Sequence, residues 1–424
     1  MLNPRKAAVS ALIKVDSDSA FSNIVLNNIL SENEFSKEDK ALISAVFYGV
    51  LDRRITIDYV LSRYVKTPLK KLPFYTLNVL RSGLYQIMYM DRIPDSAAVN
   101  ESVKLIKKSG ESRNVGFVNA VLRNILRDGV ELPKGDSIKE MSIRYSCPEW
   151  IVESFVSDYG TEDAKAILEE SLKAAPLTVR ANTLKISAEK LAKEFSNQGI
   201  SAEIEKSGNS ISIKNGINIK NNSLYKSGMF YAQDTASQTV VSVLAPKAGD
   251  RVLDMCSAPG GKSFTMAQLM QNNGEIISCD IFEQRVDLIR SGAKRLGIDI
   301  IRPVKADACE YNGEFGSFDC VLCDVPCSGL GVLRRKPDIK YNKSNDFTAL
   351  EKTQRAILEN AAKYLRHGGK LLYSTCTLRK NENEKNIENF LAKHSDFSLD
   401  YEHTFMTHKD GTDGFFCALL IKNK

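Results

Sequence analysis

The chain has 424 residues, of which 43% are hydrophobic and 26% charged; these values exclude a largely disordered protein and predict two or three folded domains. No apolar run approaches the roughly 18 residues that span a bilayer, and no apolar signal segment follows the charged start, so we expect a cytoplasmic protein without membrane association. Nine cysteines are too few for a secreted disulfide framework of this length, which favours reduced thiols.

Positive charge is concentrated in the first third of the chain. Residues 1–130 contain 19 lysines and arginines against 13 aspartates and glutamates, which accounts for the whole net charge of +6. Such an excess can bind a polyanion, although on charge alone an ordinary solvated surface is equally compatible with it.

The chain predicts three regions in order. Apolar residues at three-to-four spacing, such as Ala7, Ala11 and Leu12, indicate helices throughout the first region, and Ser36 followed by Asp39 is typical of a helix start. The second region predicts short strands at Leu177–Ala181, 202–205 and 210–214 and a helix at 188–195. The predicted domains are therefore an all-α bundle (1–135), a small α+β connector (140–235) and an α/β Rossmann-like domain (236–424).

The third region alternates strands with helices. The predicted strands are 251–255, 275–279, Ile301–Lys305, Phe318–Asp324 and 370–374, with helices at 263–271 and 282–296 after the first two. This alternation predicts a parallel sheet covered on both faces. Ligands of such sheets bind at the carboxyl ends of the strands.

A glycine-rich loop follows the first of these strands. Its residues are Cys256, Ser257, Ala258, Pro259, Gly260, Gly261 and Lys262. Adjacent glycines let backbone N–H groups approach a ligand closely, but neither the phosphate-loop nor the dinucleotide fingerprint is present. Asp280, after the second strand, can accept both hydroxyls of a ribose, and Asp307, after the third, can accept a purine amino group. The set fits a nucleoside without a pyrophosphate, for which S-adenosylmethionine is the commonest cofactor; the alternative is a glycine turn that only packs the helix on the sheet.

Two cysteines follow the fourth and fifth strands. Cys327 lies in Pro-Cys-Ser-Gly and Cys376 in Thr-Cys-Thr, and because these strands are neighbours in the usual order, about 4.8 Å apart, both sulfurs could face one pocket. A metal site is disfavoured, since Cys320 and Cys323 would point to opposite faces of their strand. We therefore expect no metal.

A thiolate, a carboxylate and a sulfonium methyl donor together favour methylation of a pyrimidine at carbon 5. A thiolate that adds to carbon 6 makes carbon 5 enamine-like, so that it can attack the methyl group. Asp324, at the end of the fourth strand, is placed to hold the N3 and exocyclic amine edge of the base. A base must then remove the carbon-5 proton before the thiol is expelled.

The motifs resemble a known family. The segments that carry the resemblance are 256–262, 324–331 and 374–377, extended by Arg334-Arg335, by 337–340, by 231–234 and by 180–182. They resemble the RNA cytosine-5 methyltransferases that use S-adenosylmethionine, while the basic helical region is similar to the RNA-binding fold of the NusB family. Fused in this order, they resemble bacterial small-subunit rRNA methyltransferases of the RsmB (Sun) type.

The resemblance implies roles for individual residues. Cys376 would be the nucleophile and Cys327 would assist release of the product. Residues Cys256 to Lys262, Asp280, Asp307 and Asp324 would bind S-adenosylmethionine, with Asp324 also within reach of the target base. The implied partner is 16S rRNA, naked or in a small-subunit precursor, and the implied enzyme is a monomer. Val325 stands where alanine is more usual, and Lys336 and Tyr341 stand where histidine and tryptophan are common; none of these departures removes a reactive group.

Two other functions are compatible with parts of the sequence. A non-catalytic RNA-binding or ribosome-assembly factor could retain the second half as a scaffold, but a scaffold has no need of Cys376, Cys327 or Asp324. An NAD-type oxidoreductase is disfavoured by the missing pyrophosphate fingerprint.

Overall fold

The computed structural model describes residues 2–18, 22–206, 208–214, 216–341 and 346–423. It contains two compact units, one of Met1–Leu172 with Lys336–Lys343 and one of Lys173–Arg335 with Ser344–Lys424. The predicted domain boundaries near 135 and 235 stay a prediction.

The first unit is helical, as predicted. Its helices are α1 (Pro4–Asp18), α2 (Ser22–Glu32), α3 (Lys37–Tyr64), α4 (Phe74–Tyr89), α5 (Asp95–Lys107), α6 (Val115–Asp128), α7 (Ile138–Arg144) and α8 (Glu149–Ser171). The predicted start of α3 is present, because the Ser36 side chain accepts a hydrogen bond from the Asp39 N–H. Within α8, Gly160 has a φ of +77°, where the helix kinks.

A short 3₁₀ turn from the far end of the sequence belongs to this helical unit. The turn is Pro337–Tyr341, and the Lys340 side chain in it is fully buried, with its Nζ 2.7 Å from Asp52 Oδ1. The Tyr341 hydroxyl donates to the Leu51 carbonyl at 2.7 Å, and the Arg54 guanidinium lies 4.7 Å from the centre of the Tyr341 ring. A buried ammonium is tolerated only when it is paired, so Asp52 is the residue that permits Lys340 to be there.

The second unit begins with a small antiparallel sheet. Its strands are β1 (Leu177–Ala181), β2 (Ala202–Ile204), β3 (Ser210–Ile213) and β4 (Phe230–Ala232), in the order β2-β3-β1-β4. Its helices are α9 (Ala188–Asn197) and α10 (Ser223–Lys226), and α11 (Thr235–Leu244) leads on to the larger sheet. The α+β character predicted for this region is confirmed.

The larger sheet has seven strands. They are β5 (Arg251–Asp254), β6 (Glu275–Asp280), β7 (Ile301–Lys305), β8 (Phe318–Asp324), β9 (Leu365–Thr375), β10 (Phe397–Phe405) and β11 (Phe415–Lys422). The helices between them are α12 (Gly261–Leu269), α13 (Glu283–Leu296), α14 (Thr348–Tyr364), α15 (Glu384–Leu391) and α16 (Thr407–Asp410).

The larger sheet has an antiparallel edge that the sequence did not predict. The strand order is β10-β11-β9-β8-β5-β6-β7, and β5 to β9 pair in parallel as predicted. β11 pairs antiparallel with both β9 and β10. Two consecutive parallel strands need a crossover connection that returns the chain to the same end of the sheet. β10 and β11 are antiparallel and need no such crossover.

Both faces of the larger sheet are buried. Val252, Ile276 and Leu322 pack in one core and Leu253 and Val321 in the other, which is why these strands are almost continuously apolar in sequence. Among the described residues, no helix has the length and apolarity that crossing a membrane requires.

Asp52→Asn is expected to destabilise the helical unit by about 3 kcal/mol, because it leaves the buried Lys340 ammonium without a counter-charge. The loss should appear as a lower midpoint when unfolding of the full chain is followed by helical circular dichroism. Asp128→Asn is the matched control, since Asp128 pairs with Arg127 in an exposed pair and should cost less than about 1 kcal/mol. Equal losses for the two variants would contradict the structural role of Asp52.

Candidate active site

The glycine-rich loop between β5 and α12 is fastened to the next strand. Ser257 donates to the Cys279 carbonyl from its backbone N–H at 2.8 Å and from its hydroxyl at 2.9 Å. Gly260 has a φ of +107°, and a Cβ there would lie 2.4 Å from the Phe264 ring, so only glycine fits. Gly260 caps α12 without a side-chain hydrogen bond. The loop therefore presents main-chain groups at the amino end of a helix, where negative charge is favoured.

A chain of buried hydroxyls reaches the end of β5. The Ser278 hydroxyl donates to the Ser263 hydroxyl at 2.9 Å, and Ser263 donates to Asp254 Oδ2 at 2.6 Å. Burial raises the pKa of the Asp254 carboxyl to about 7, with the Ser263 hydrogen bond opposing the rise and the charge of Asp324 adding to it. Asp254 is therefore largely protonated in mildly acid solution.

Asp324, at the end of β8, is held from two sides. Its Oδ2 lies 2.6 Å from Lys262 Nζ, and its Oδ1 accepts a hydrogen bond from the Ser374 hydroxyl at 2.8 Å. Lys262 also lies 4.9 Å from the centre of the Phe415 ring. The ion pair connects the glycine-rich loop to the fourth strand of the region.

A cavity of about 350 Å³ opens beside this ion pair. The predicted site residues that line it are Ser257, Ala258, Pro259, Gly261, Lys262 and Asp324. Its other walls include Gln233 and Asp234 from the segment after β4, and Asp413 and Phe415 near β11. The structure thus brings the glycine-rich loop and Asp324 together around one space.

Two predicted acids lie elsewhere. Asp280 is buried at the end of β6, accepts from the Phe282 N–H at 3.1 Å and lies 3.4 Å from Arg285. Asp307 lines a second, much smaller cavity with Cys279 and Tyr364. Neither lines the large cavity, and neither do Cys256, Gly260, Cys327 and Cys376.

The two thiols that follow β8 and β9 meet. The strands are adjacent and parallel, with Asp324 opposite Ser374, which confirms that they are neighbours. The sulfurs of Cys327 and Cys376 are 3.2 Å apart, and the Cys376 N–H donates to the Cys327 sulfur at 3.3 Å. The contact with Cys376 and burial hold the pKa of the Cys327 thiol well above its usual range. Cys327 is therefore protonated at neutral pH.

The other two cysteines of β8 lie on opposite faces, as their odd spacing predicts. Cys320 belongs to one core and Cys323 to the other. Burial raises the pKa of the Cys320 thiol to about 12 and raises that of Cys323 as well. Both are packing residues.

The sequence reasoning missed two buried acids, one beside the thiol loops and one in the wall of the large cavity. Glu382 is fully buried and accepts hydrogen bonds from Ser328, the residue after Cys327. Asp413 is buried between Arg334, at 2.7 Å, and Arg335. The available signals were the position of Glu382 six residues after Cys376 and the placement of Asp413 immediately before Gly414 and a buried strand, but acids in loops are usually exposed.

Comparison with known proteins gives three consecutive family matches. Residues 2–127 match the NusB family, residues 147–220 match a ferredoxin-like domain of RsmF/B-like methyltransferases, and residues 241–421 match 16S rRNA methyltransferase RsmB/F.

Named relatives are similar over the full length. The probable ribosomal RNA small subunit methyltransferase B of Bacillus subtilis is 36% identical and covers 99% of this chain and 98% of its own. Its namesake in Synechocystis is 30% identical and covers 100% of both. Among solved structures, PH0851 has a TM-score of 0.83 at 26% identity, covering 100% of this chain and 99% of its own. NSun6 from Pyrococcus horikoshii, crystallised with SFG, has a TM-score of 0.61 at 25% identity and covers 65% of this chain and 98% of its own.

Asp254→Asn is expected to flatten the pH dependence of stability. Because the folded-state pKa of about 7 exceeds the unfolded value near 4, the unfolded state loses its proton first, and the carboxyl's contribution to stability falls as pH rises. The fall is about 2 kcal/mol between about pH 5 and pH 7 and levels off above that. Unfolding in urea across this range should show a steeper decline for the unchanged protein than for the variant.

Ser263→Ala serves as the control for this variant. It keeps the carboxyl but removes a hydrogen bond that lowers its pKa, so the decline should persist and extend to higher pH. Parallel profiles for the unchanged protein and Asp254→Asn would contradict the raised pKa.

Proposed function

The chain belongs to the family of ribosomal RNA small subunit methyltransferase B, and from this membership we propose that it transfers a methyl group from S-adenosylmethionine to carbon 5 of a cytosine in 16S rRNA. The observation that carries the proposal is the 3.2 Å contact between the Cys327 and Cys376 sulfurs, in loops that follow the strand carrying Asp324 and its neighbour. A thiol and a carboxylate are groups that this chemistry requires, and a second thiol beside the first can assist release of the product.

The residues around the glycine-rich loop fit S-adenosylmethionine. Gly261 lines the large cavity at the amino end of α12, where the first N–H groups of a helix have no intrahelical acceptor. We assign residues Cys256 to Lys262 to the amino-acid end of the cofactor. Asp280 is assigned to the ribose hydroxyls and Asp307 to the amino group of the base. When bound, the cofactor supplies an electrophilic methyl group on a sulfonium.

The target cytosine is assigned to the neighbourhood of Asp324. This carboxylate can accept a hydrogen bond from the exocyclic amine of the base, and Lys262, whose Nζ is 2.6 Å from Asp324 Oδ2, holds it in place. A base inside RNA cannot reach a half-buried thiol while stacked, so the target nucleotide leaves its stack before reaction.

Cys376 is assigned as the nucleophile. Its thiolate forms a bond to carbon 6, the electron pair of the 5,6 double bond moves to carbon 5, and carbon 5 takes the methyl group. A base then removes the carbon-5 proton, the double bond re-forms and the bond between carbon 6 and sulfur breaks.

Cys327 is assigned to this last step. It is protonated at neutral pH, because contact with Cys376 and burial raise its pKa. At 3.2 Å it can donate its proton to the Cys376 sulfur as that sulfur leaves carbon 6. The product is then free to dissociate.

The helical unit is assigned to RNA binding. Most of the excess of lysine and arginine lies within residues 53–127, and positive charge of this kind binds the phosphate backbone. We propose that a monomer of this enzyme acts in the cytoplasm, on 16S rRNA that is naked or part of a small-subunit precursor.

Cys376→Ala is expected to reduce methyl transfer to background, because no bond to carbon 6 can form. Cys327→Ala is expected to bind RNA and add Cys376 to it but to release it slowly, leaving a protein–RNA adduct that survives denaturing electrophoresis. Transfer is measured with labelled cofactor and 16S rRNA, and the position of the methyl group by bisulfite sequencing.

Cys309→Ala changes an exposed thiol and should leave transfer and adduct level as they are. Full methylation by Cys376→Ala would contradict the covalent mechanism, and loss of activity without an adduct in Cys327→Ala would contradict the role given to Cys327.

A further inference from the structure

The loops that carry the two thiols are tied to one buried dipeptide, Glu382-Asn383. Both residues are fully buried and lie between β9 and α15. The Tyr373 hydroxyl donates to the Glu382 carbonyl at 2.7 Å, which fixes the dipeptide against β9. Buried polar side chains of this kind are costly unless their hydrogen bonds are satisfied, and here the partners are the residues beside the cysteines.

Glu382 is hydrogen-bonded to the loop of Cys327 on both sides of the cysteine, directly on one side and through Gln354 on the other. Its Oε2 accepts from the Ser328 N–H at 2.9 Å and from Gln354 Nε2 at 2.9 Å. Gln354 Nε2 also donates to the Pro326 carbonyl at 2.9 Å. The residues before and after Cys327 are thus both held through this one carboxylate oxygen.

The other oxygen connects the two thiol loops. Glu382 Oε1 accepts from the Ser328 hydroxyl at 2.5 Å, and that hydroxyl lies 2.7 Å from the hydroxyl of Thr377, the residue after Cys376. Arg379 lies 3.1 Å from the same oxygen and balances the buried charge.

Asn383 is hydrogen-bonded to the loop of Cys376 on both sides of that cysteine. Its Oδ1 accepts from the Thr375 hydroxyl at 2.6 Å, and its Nδ2 donates to the Thr377 carbonyl at 3.0 Å. The residues before and after Cys376 are therefore held by the amide, as those around Cys327 are held by the carboxylate.

We propose that Glu382 and Asn383 are positioning residues that set the contact between the two sulfurs, Glu382 by holding Cys327 for the release step and Asn383 by holding Cys376 for attack. The inference rests on the proposed roles of the two cysteines. The two residues therefore affect different steps. A variant that weakens the hold of Glu382 on the Cys327 loop slows release of the adduct, whereas a variant that weakens the hold of Asn383 on the Cys376 loop slows its formation.

Glu382→Gln is the variant that tests the first half. The amide keeps the shape but replaces one acceptor oxygen by a donor, so in either orientation at least one N–H of Ser328, Gln354 or Arg379 faces another donor. Glu384→Gln is the matched control: it makes the same change two residues on, where the carboxylate accepts from Thr404 and holds neither thiol loop.

The first measurement needs neither cofactor nor RNA. Diamide oxidises two neighbouring thiols to a disulfide and takes up their two hydrogens, so the rate at which Cys327 and Cys376 become linked, followed by mass spectrometry, reports the sulfur contact. A misplacement of about 1 Å can cost about 100-fold in rate, so we expect Glu382→Gln and Asn383→Ala to form the disulfide about 10- to 100-fold more slowly than the unchanged protein and Glu384→Gln. Unchanged linkage rates would overturn the proposal.

The second measurement separates the two residues. With 16S rRNA and S-adenosylmethionine, Glu382→Gln should accumulate adduct on denaturing gels, as Cys327→Ala should, while Asn383→Ala should form little. Equal adduct levels in the two variants would overturn the separate roles given to Glu382 and Asn383. If the unchanged protein transfers no methyl group to 16S rRNA, the proposed function fails, whereas the linkage rates still test the positioning.

Ser328→Ala provides a milder version in case Glu382→Gln does not fold. It removes the hydroxyl that joins Glu382 to Thr377 and leaves the Ser328 N–H in place. We expect slower linkage in the same direction but to a smaller degree, with an unchanged circular dichroism spectrum as the check that the fold is intact. A linkage rate equal to that of the unchanged protein would contradict the connection through Ser328.

Discussion

The parallel pairing of β8 with β9 is the constraint on which the candidate site depends. It puts Asp324 opposite Ser374, so that the loops that follow start from the same edge of the sheet and their thiols can touch. Burial on both faces stabilises the pairing, since Val321 and Leu371 pack in one core and Leu322 and Leu372 in the other. The apolar sequence of two strands thereby decides where the reactive groups lie.

Four acids of the second unit are buried or half-buried, and each is stabilised differently. The raised pKa of the Asp254 carboxyl favours its neutral form, and Asp324 is paired with Lys262. Asp413 lies between two arginines. Glu382 accepts hydrogen bonds from main-chain and side-chain donors. A carboxylate that leaves water loses its hydration and needs such compensation. A site built from compensated charges is stiff, because moving any one partner exposes another.

Much of this arrangement could be predicted from the sequence, because it depends on local patterns. The bounds of β1, β7 and β8 were predicted to the residue, and the adjacency of the thiol loops follows from the usual strand order. The antiparallel edge was missed because no strand was predicted beyond residue 374, and both β10 and β11 lie there. Glu382 and Asp413 were missed for a different reason: an acid in a loop looks like surface until the partners that bury it are known.

The turn that contains Lys340 limits how the gene for this chain can recombine with those of its relatives. Because residues 336–343 belong to the same compact unit as 1–172, the helical part is not one continuous stretch of gene, and no single breakpoint separates it from the remainder. Recombination between relatives that exchanged only the first half would put a foreign residue opposite Lys340 at position 52, or leave it without its acidic neighbour. A hybrid that takes positions 52 and 340 from the same parent keeps the two residues of this ion pair together.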